Sequence, residues 1–161
     1  MGGISDFLAR DHDRLDAFFS RAGADPEAYE AFRRGLLKHV GMEELILIAA
    51  ARRLSPEAVT LAGRTRLDHA ALTSLLIPTP TARILAAIRA VLVPHNEMEE
   101  AADGLYAQCE RALGTDAEAT LARLKAAPDI PPASHVDGPH VTASIRRALE
   151  AAGYPDLGRN L

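Results

Sequence analysis

Residues 25–44 read Asp25-Pro26-Glu27-Ala28-Tyr29-Glu30-Ala31-Phe32-Arg33-Arg34-Gly35-Leu36-Leu37-Lys38-His39-Val40-Gly41-Met42-Glu43-Glu44. An aspartate precedes a proline at the first helical position, where the missing N–H would have no intrahelical partner in any case. Phe32, Leu36, His39 and Ile46 then share one helical face. The stretch opens a long amphipathic helix. The same punctuation recurs at Ser55-Pro56-Glu57 and Thr79-Pro80-Thr81, and Thr115-Asp116-Ala117-Glu118 has capping-box spacing. These signals predict helices over about 4–22, 26–53, 56–76, 80–112, 116–126 and 140–152. Gly153 closes the last one, with Pro155 beyond. Pro94, inside the fourth, predicts a kink or break. Three prolines between Pro128 and Asp137 predict a linker.

Composition agrees with an all-α chain. Trp is absent, Phe and Tyr are few, and no stretch alternates with period two for long enough to make a strand. At 161 residues, 48 % of them hydrophobic, the chain is long enough to bury a core without staples. Short connections make successive helices antiparallel neighbours. The expected architecture is an up-down-up-down four-helix bundle over residues 1–127, with a linker and short C-terminal helical extension over 128–161.

Charge and cysteine usage narrow the function. A formal charge of −4 argues against a nucleic-acid surface, which needs a basic stripe. A single cysteine, Cys109, excludes an intrachain disulfide, a thiolate zinc site or a Cys-ligated cluster. No apolar run approaches the ~18 residues that span a bilayer, so no membrane partner is expected. Met1-Gly2-Gly3-Ile4-Ser5-Asp6 lacks a basic region followed by an apolar block, and the expected compartment is the cytoplasm.

Four of the six histidines, His12, His39, His69 and His95, fall one per long helix. The connecting turns lie near the midpoints between them, so antiparallel helices bring all four to one height. Each interrupts an apolar stripe: Leu8, Leu15 and Phe19 beside His12; Phe32, Leu36 and Ile46 beside His39; Ala62, Leu72 and Leu76 beside His69; Ile88, Leu92 and Met98 beside His95. One such histidine is ordinarily a hydrogen-bonded core residue. Four in one layer are harder to explain that way, because an unpartnered buried imidazole costs of order 1–3 kcal/mol.

Two of the helices repeat one motif. His39-Val40-Gly41-Met42-Glu43-Glu44 and His95-Asn96-Glu97-Met98-Glu99-Glu100 are both His-x-x-Met-Glu-Glu. The i,i+4 spacing sets Glu43 beside His39 and Glu99 beside His95. Glu44, Glu97 and Glu100 fall off the stripe and read as solvated, although Glu44 and Glu100 border it. Four imidazoles and two carboxylates around one point describe a metal site, and six side chains from four helices suit two ions with the carboxylates bridging. Nitrogen and oxygen ligation without thiolate suits iron or manganese, with zinc a weaker fit. The ferritin-like Glu-x-x-His pattern and the zincin His-Glu-x-x-His motif are both absent.

The ordered set Asp11-His12, His39 with Glu43, Asp68-His69 and His95 with Glu99 resembles the hemerythrin-like family of cation-binding domains, the HHE domains, over roughly residues 4–112. The resemblance implies a four-helix bundle holding two non-haem iron ions bridged by two carboxylates and an oxygen species. It implies His12, His39, Glu43, His69, His95 and Glu99 as the metal ligands. The sequence departs from the oxygen carriers at two places. Their second histidine on the third helix is replaced by Thr73, and their last carboxylate stands five residues after the histidine of the fourth helix, the position of Glu100. Either Glu99 or Glu100 can therefore bridge, and Glu99 is preferred because it repeats the Glu43 spacing. Four histidines place the set nearer the iron-sensing and iron–sulfur-repair branches than the oxygen carriers.

The remaining polar residues read blandly. His135 and His140 are expected to be solvated loop residues and Cys109 a small apolar side chain. Tyr29 and Tyr106 are expected to be remote from the ligands, roughly 15 Å away along their helices. Arg33, Arg34, Arg52 and Arg53 are expected on the solvated surface. The favoured function is a di-iron protein that reacts with or senses O₂, NO or peroxide, or serves iron handling. A di-iron enzyme turning over peroxide and a metal-free helical interaction module are the alternatives.

Overall fold

The computed structural model describes residues 3–161. Met1 and Gly2, the start of the hexapeptide discussed above, lie outside the described residues. The described chain is helical with no strand. Helix α1 spans Gly3–Phe19, and α2 spans Pro26–Gly41 and runs on through a π-helical segment, Met42–Ile48, into α3, Ala49–Leu54. Then come α4 (Ala62–Leu75), α5 (Ala82–Glu100), α6 (Leu105–Leu113), α7 (Ala117–Lys125), α8 (Pro139–Ala151) and the short α9 (Pro155–Arg159). None is long and apolar enough to cross a membrane.

Local chemistry accounts for most boundaries. The Asp25 side chain accepts from the Glu27 N–H at 3.0 Å, with Pro26 behind it. Thr81 rather than Thr79 caps α5, accepting from the Ile84 N–H at 3.2 Å. Thr79 instead donates its N–H and hydroxyl to Asp137. Gly153 ends α8 at φ 87, a left-handed position that suits glycine.

Three sequence expectations are corrected. Helix α4 starts at Ala62, not near residue 56, because Ser55–Leu61 winds through turns that bury Val59. The Leu61 N–H donates to the Gln108 side-chain oxygen at 3.2 Å. Helix α5 continues through Pro94, whose orphaned acceptor, the carbonyl of Ala90, sits at an exposed position where water can satisfy it. The break falls instead at Ala101–Gly104, and α6 turns back there. A Cβ on Gly104 would lie 2.4 Å from the Met98 carbonyl and 2.5 Å from that of Glu99, so this turn admits only glycine without displacement of backbone.

Helix α1 packs on α2, α4 on α5 and α8, and α6 on α3, α5 and α1. The apolar side chains form two separate clusters. One gathers Leu15, Phe32, Leu36, Leu72, Leu75, Ile88 and Leu92, completed by Val141, Ile145 and Leu149 of α8. The other gathers Ile4, Leu8, Met42, Leu47, Ile48, Leu105 and Leu113. Polar side chains separate them. His12 lies between Leu8 and Leu15 on α1, and His39 between Leu36 of α2 and Met42 of the π-helical segment. The π-helical segment shifts the buried face by one position after Glu43, so Leu47 and Ile48 are buried and Ile46 only partly.

The proline-rich stretch between α7 and α8 is tied to α2. Arg33, expected on the surface, is buried and donates to the carbonyls of Leu76 at 2.9 Å and Ala133 at 2.7 Å. Its two carbonyl partners come from distant parts of the chain, which no helical pattern reveals. His135, expected to be solvated, is partly covered, pairs with Glu30 at 3.0 Å and stacks on Tyr29. His140 is exposed.

Candidate metal centre

His12, His39, Glu43, His69, His95 and Glu99 all lie buried in the layer between the two apolar clusters. Their inward atoms fall into two groups that could each hold a metal ion: His12, His39, Glu43 and Glu99, and Glu43, His69, His95 and Glu99. The two glutamates belong to both. Glu43 reaches His39 Nε2 with Oε1 and His69 Nε2 with Oε2, at 3.1 Å each. Glu99 reaches His12 Nε2 with Oε2 at 3.4 Å and His95 Nε2 with Oε1 at 3.1 Å.

Every imidazole turns Nε2 inward and is held from behind at Nδ1 by a carboxylate. Asp11 takes His39 at 2.8 Å, Asp68 takes His95 at 3.3 Å, Glu44 takes His69 at 2.8 Å and Glu100 takes His12 at 2.5 Å. The arrangement is internally two-fold. In each Asp-His pair the aspartate holds the histidine of the following helix. In each Glu-Glu pair the first carboxylate points in and the second grips a histidine of the other half. A carboxylate at Nδ1 fixes the tautomer that leaves Nε2 free to ligate. Asp11 is in turn held by Arg14, and Asp68 by both Nε and the terminal nitrogen of Arg64.

Glu44 and Glu100 therefore do more than the solvated role expected of them. Both are partly exposed, at 30 % and 40 %, yet each orients an imidazole. Glu99, by contrast, is fully buried and inward. Changing Glu100 to Gln should weaken metal binding by about 10–100-fold and leave the stoichiometry intact at excess metal. Competition against a chelator reads this directly; emptying of the centre would make Glu100 a ligand.

Tyr106 was not foreseen. Its hydroxyl donates to Glu43 Oε1 at 2.6 Å and lies 3.1 Å from Glu99 Oε2, 3.0 Å from His12 Nε2 and 3.4 Å from His39 Nε2. The expected 15 Å separation overstates even one unbroken helix, in which Tyr106 stands seven residues from Glu99, about 10 Å along the axis, and the turn at Ala101–Gly104 folds α6 back over the site. Asp103-Gly104, a common turn dipeptide, was the signal available in the sequence. Tyr29 does lie elsewhere, against Phe32 and His135.

The electrostatics are those of charges packed for one another. Burial alone would lower the His39 imidazolium, but Glu43, Asp11 and Glu99 outweigh it and push it up to about 10. His95 is likewise raised to about 10 by Asp68, Glu99 and Glu43 against its burial. Burial would raise Glu43, yet His39 and His69 hold it well below the usual carboxylate range. Glu99 is lowered, with His12 and His95 overcoming burial and the nearby Glu43. Burial first, and then Glu43 and Glu99, raise the Tyr106 phenol well above its ordinary value. Cys109, fully buried, is pushed up to about 12 by burial, as suits an inert apolar side chain.

Three inward atoms, Glu43 Oε2, His69 Nε2 and Glu99 Oε1, are buried without a hydrogen-bond partner. Glu43 Oε2 and His69 Nε2 are close but not aligned for a hydrogen bond; both face a common point. In the metal-free protein His39 and His95 keep a second proton, at Nε2; once metal displaces it, with each Nδ1–H given to a carboxylate, the neutral imidazoles and the two ionised glutamates would offer only acceptors to the centre. The Tyr106 hydroxyl supplies one proton among them. A cation is the partner such a set fits. Comparison of the chain with protein families, curated proteins and solved structures finds no match.

Proposed function

We propose that this chain is a hemerythrin-like protein in which α1, α2, α4 and α5 form an up-down-up-down four-helix bundle around two non-haem iron ions. In this reading His12, His39, His69 and His95 are terminal ligands, and Glu43 and Glu99 are the bridges. The observation that carries it is the pair of donor groups sharing two buried glutamates. The Nδ1 carboxylates behind all four imidazoles support it. Nitrogen and oxygen donors without thiolate favour iron, then manganese, over softer metals. Three inward atoms buried without a hydrogen-bond partner weigh against a metal-free interaction module.

Its function is to react with or sense a small molecule, O₂, NO or peroxide, or to serve iron handling. Iron would supply a redox-active Lewis acid with room for such a ligand. The protein's own residues orient the imidazoles, hold the carboxylates ionised and exclude water with the Leu and Ile clusters on either side. Protein purified from iron-replete cells should carry close to two iron atoms per chain by elemental analysis, one for each donor group. Chain that stays metal-free and refuses iron on reconstitution would overturn the proposal.

A further inference from the structure

The two donor groups are not equivalent. Tyr106 lies on one side only, and its hydroxyl touches all four donors of the group containing His12 and His39. It makes no hydrogen bond to His69 or His95, and His69 Nε2 has no aligned hydrogen-bond partner. We propose that Tyr106 is a fifth protein ligand to the metal held by His12 and His39, and that the metal held by His69 and His95 is the open, reactive one. This rests on the two-metal reading above.

Coordination geometry carries the assignment. Donors at right angles on one ion, each about 2.1 Å from it, lie about 3.0 Å apart, and opposite donors about 4.2 Å apart. Around the ring, His12 Nε2 to His39 Nε2 is 3.0 Å, His39 Nε2 to Glu43 Oε1 is 3.1 Å and His12 Nε2 to Glu99 Oε2 is 3.4 Å. The diagonal pairs, His12 with Glu43 and His39 with Glu99, make no ion-pair contact, although all four donors lie within 4.8 Å of one another. These are three edges and both diagonals of a four-cornered base, and the fourth edge, between Glu43 and Glu99, is within 4.8 Å. Tyr106 Oη, 2.6–3.4 Å from every corner, stands at its apex. A group lying midway between the two metal positions would be equally near all four Nε2 atoms, and Oη is near only two. Ligation forms a metal–Oη bond and breaks the O–H bond, the proton leaving to solvent as metal binding requires. The second ion keeps only four protein donors, so an incoming small molecule has its free position there.

The test is resonance Raman and visible absorption of the ferric, iron-loaded protein, with iron content measured on the same sample. A phenolate bound to ferric iron gives a visible charge-transfer band and ring modes that shift with ring-deuterated tyrosine. Wild type should show both, Tyr29→Phe and Tyr154→Phe should keep them, and Tyr106→Phe, compared per bound iron, should lose them. Azide should leave the phenolate modes in place, because it enters at the other ion. Wild type with two irons and no phenolate band overturns the Tyr106 assignment alone. A band that persists in Tyr106→Phe also overturns it. Loss of the phenolate modes on azide addition overturns the assignment of the open ion. Wild type that takes up no iron overturns the two-metal reading, and this one with it.

Discussion

Glu43→Ala is expected to empty the centre of both ions, and Glu99→Ala to do the same. Each of these carboxylates belongs to both donor groups, so one truncation takes a donor from each ion and the one negative charge they share. The metal content should fall from close to two per chain towards zero. Truncation also leaves a cavity at a fully buried position and strips His39 and His69, or His12 and His95, of a partner. Glu43→Gln and Glu99→Gln keep the volume and a hydrogen-bonding group while removing the charge. They separate loss of ligation from loss of fold, because they should retain helical content by circular dichroism and still fail to hold two ions. Full metal occupancy in both Gln variants would show that the carboxylates do not bridge.

Metal removal should lower the thermal midpoint, and the gap between loaded and metal-free protein should widen as pH rises. A species that binds only the native state adds RT ln(1 + [L]/Kd), about 4 kcal/mol when free metal stands a thousandfold above Kd. Protons oppose this. His39 and His95 have their imidazolium forms raised to about 10 in the metal-free protein, above the unfolded value near 6.5. Their contribution to metal-free stability is full below about 6.5 and is lost as pH climbs towards 10. Glu43 and Glu99, lowered, contribute above about 4.5 and lose their contribution as pH falls through their depressed values. From these groups, metal-free protein should be most stable between about pH 4.5 and 6.5 and weaken above it. Metal binding displaces the imidazole protons, so its advantage grows over the same alkaline range. Melting of the two forms at pH 5.5, 7.5 and 8.5 reads the trend. Equal midpoints at pH 7.5 would mean that the site is not coupled to folding of the core.

Periodicity carried a good deal of this. The helices and the inward direction of Glu43 and Glu99 followed from spacing along single helices, which an α-helix converts directly into a face, and the layer of four histidines from their distances to the connecting turns. The Nδ1 partners were half legible. The Asp-His and Glu-Glu pairs were visible as repeats, but which carboxylate meets which imidazole depends on contacts between helices. Asp11 reaches His39 and not its neighbour His12, and Glu100 crosses to α1. The π-helical turn at Met42–Ile48 was not legible, because its sequence also satisfies an ordinary helix.

By itself, then, the sequence determined the all-helical class, the six inward side chains and the absence of thiolate from their number. These depend on residue type and on 3.6-residue periodicity, both local quantities. Only the tertiary structure decided that α5 holds through Pro94 and gives way at Ala101–Gly104, that Arg33 anchors the proline-rich stretch, and that Tyr106 enters the centre from one side. Each of these turns on where a chain segment meets a distant one: an exposed carbonyl that water can satisfy, two backbone acceptors far along the chain, a helix folded back across a glycine. Such meetings are set by how several helices pack into the two apolar clusters on either side of the polar layer, which no single helix contains.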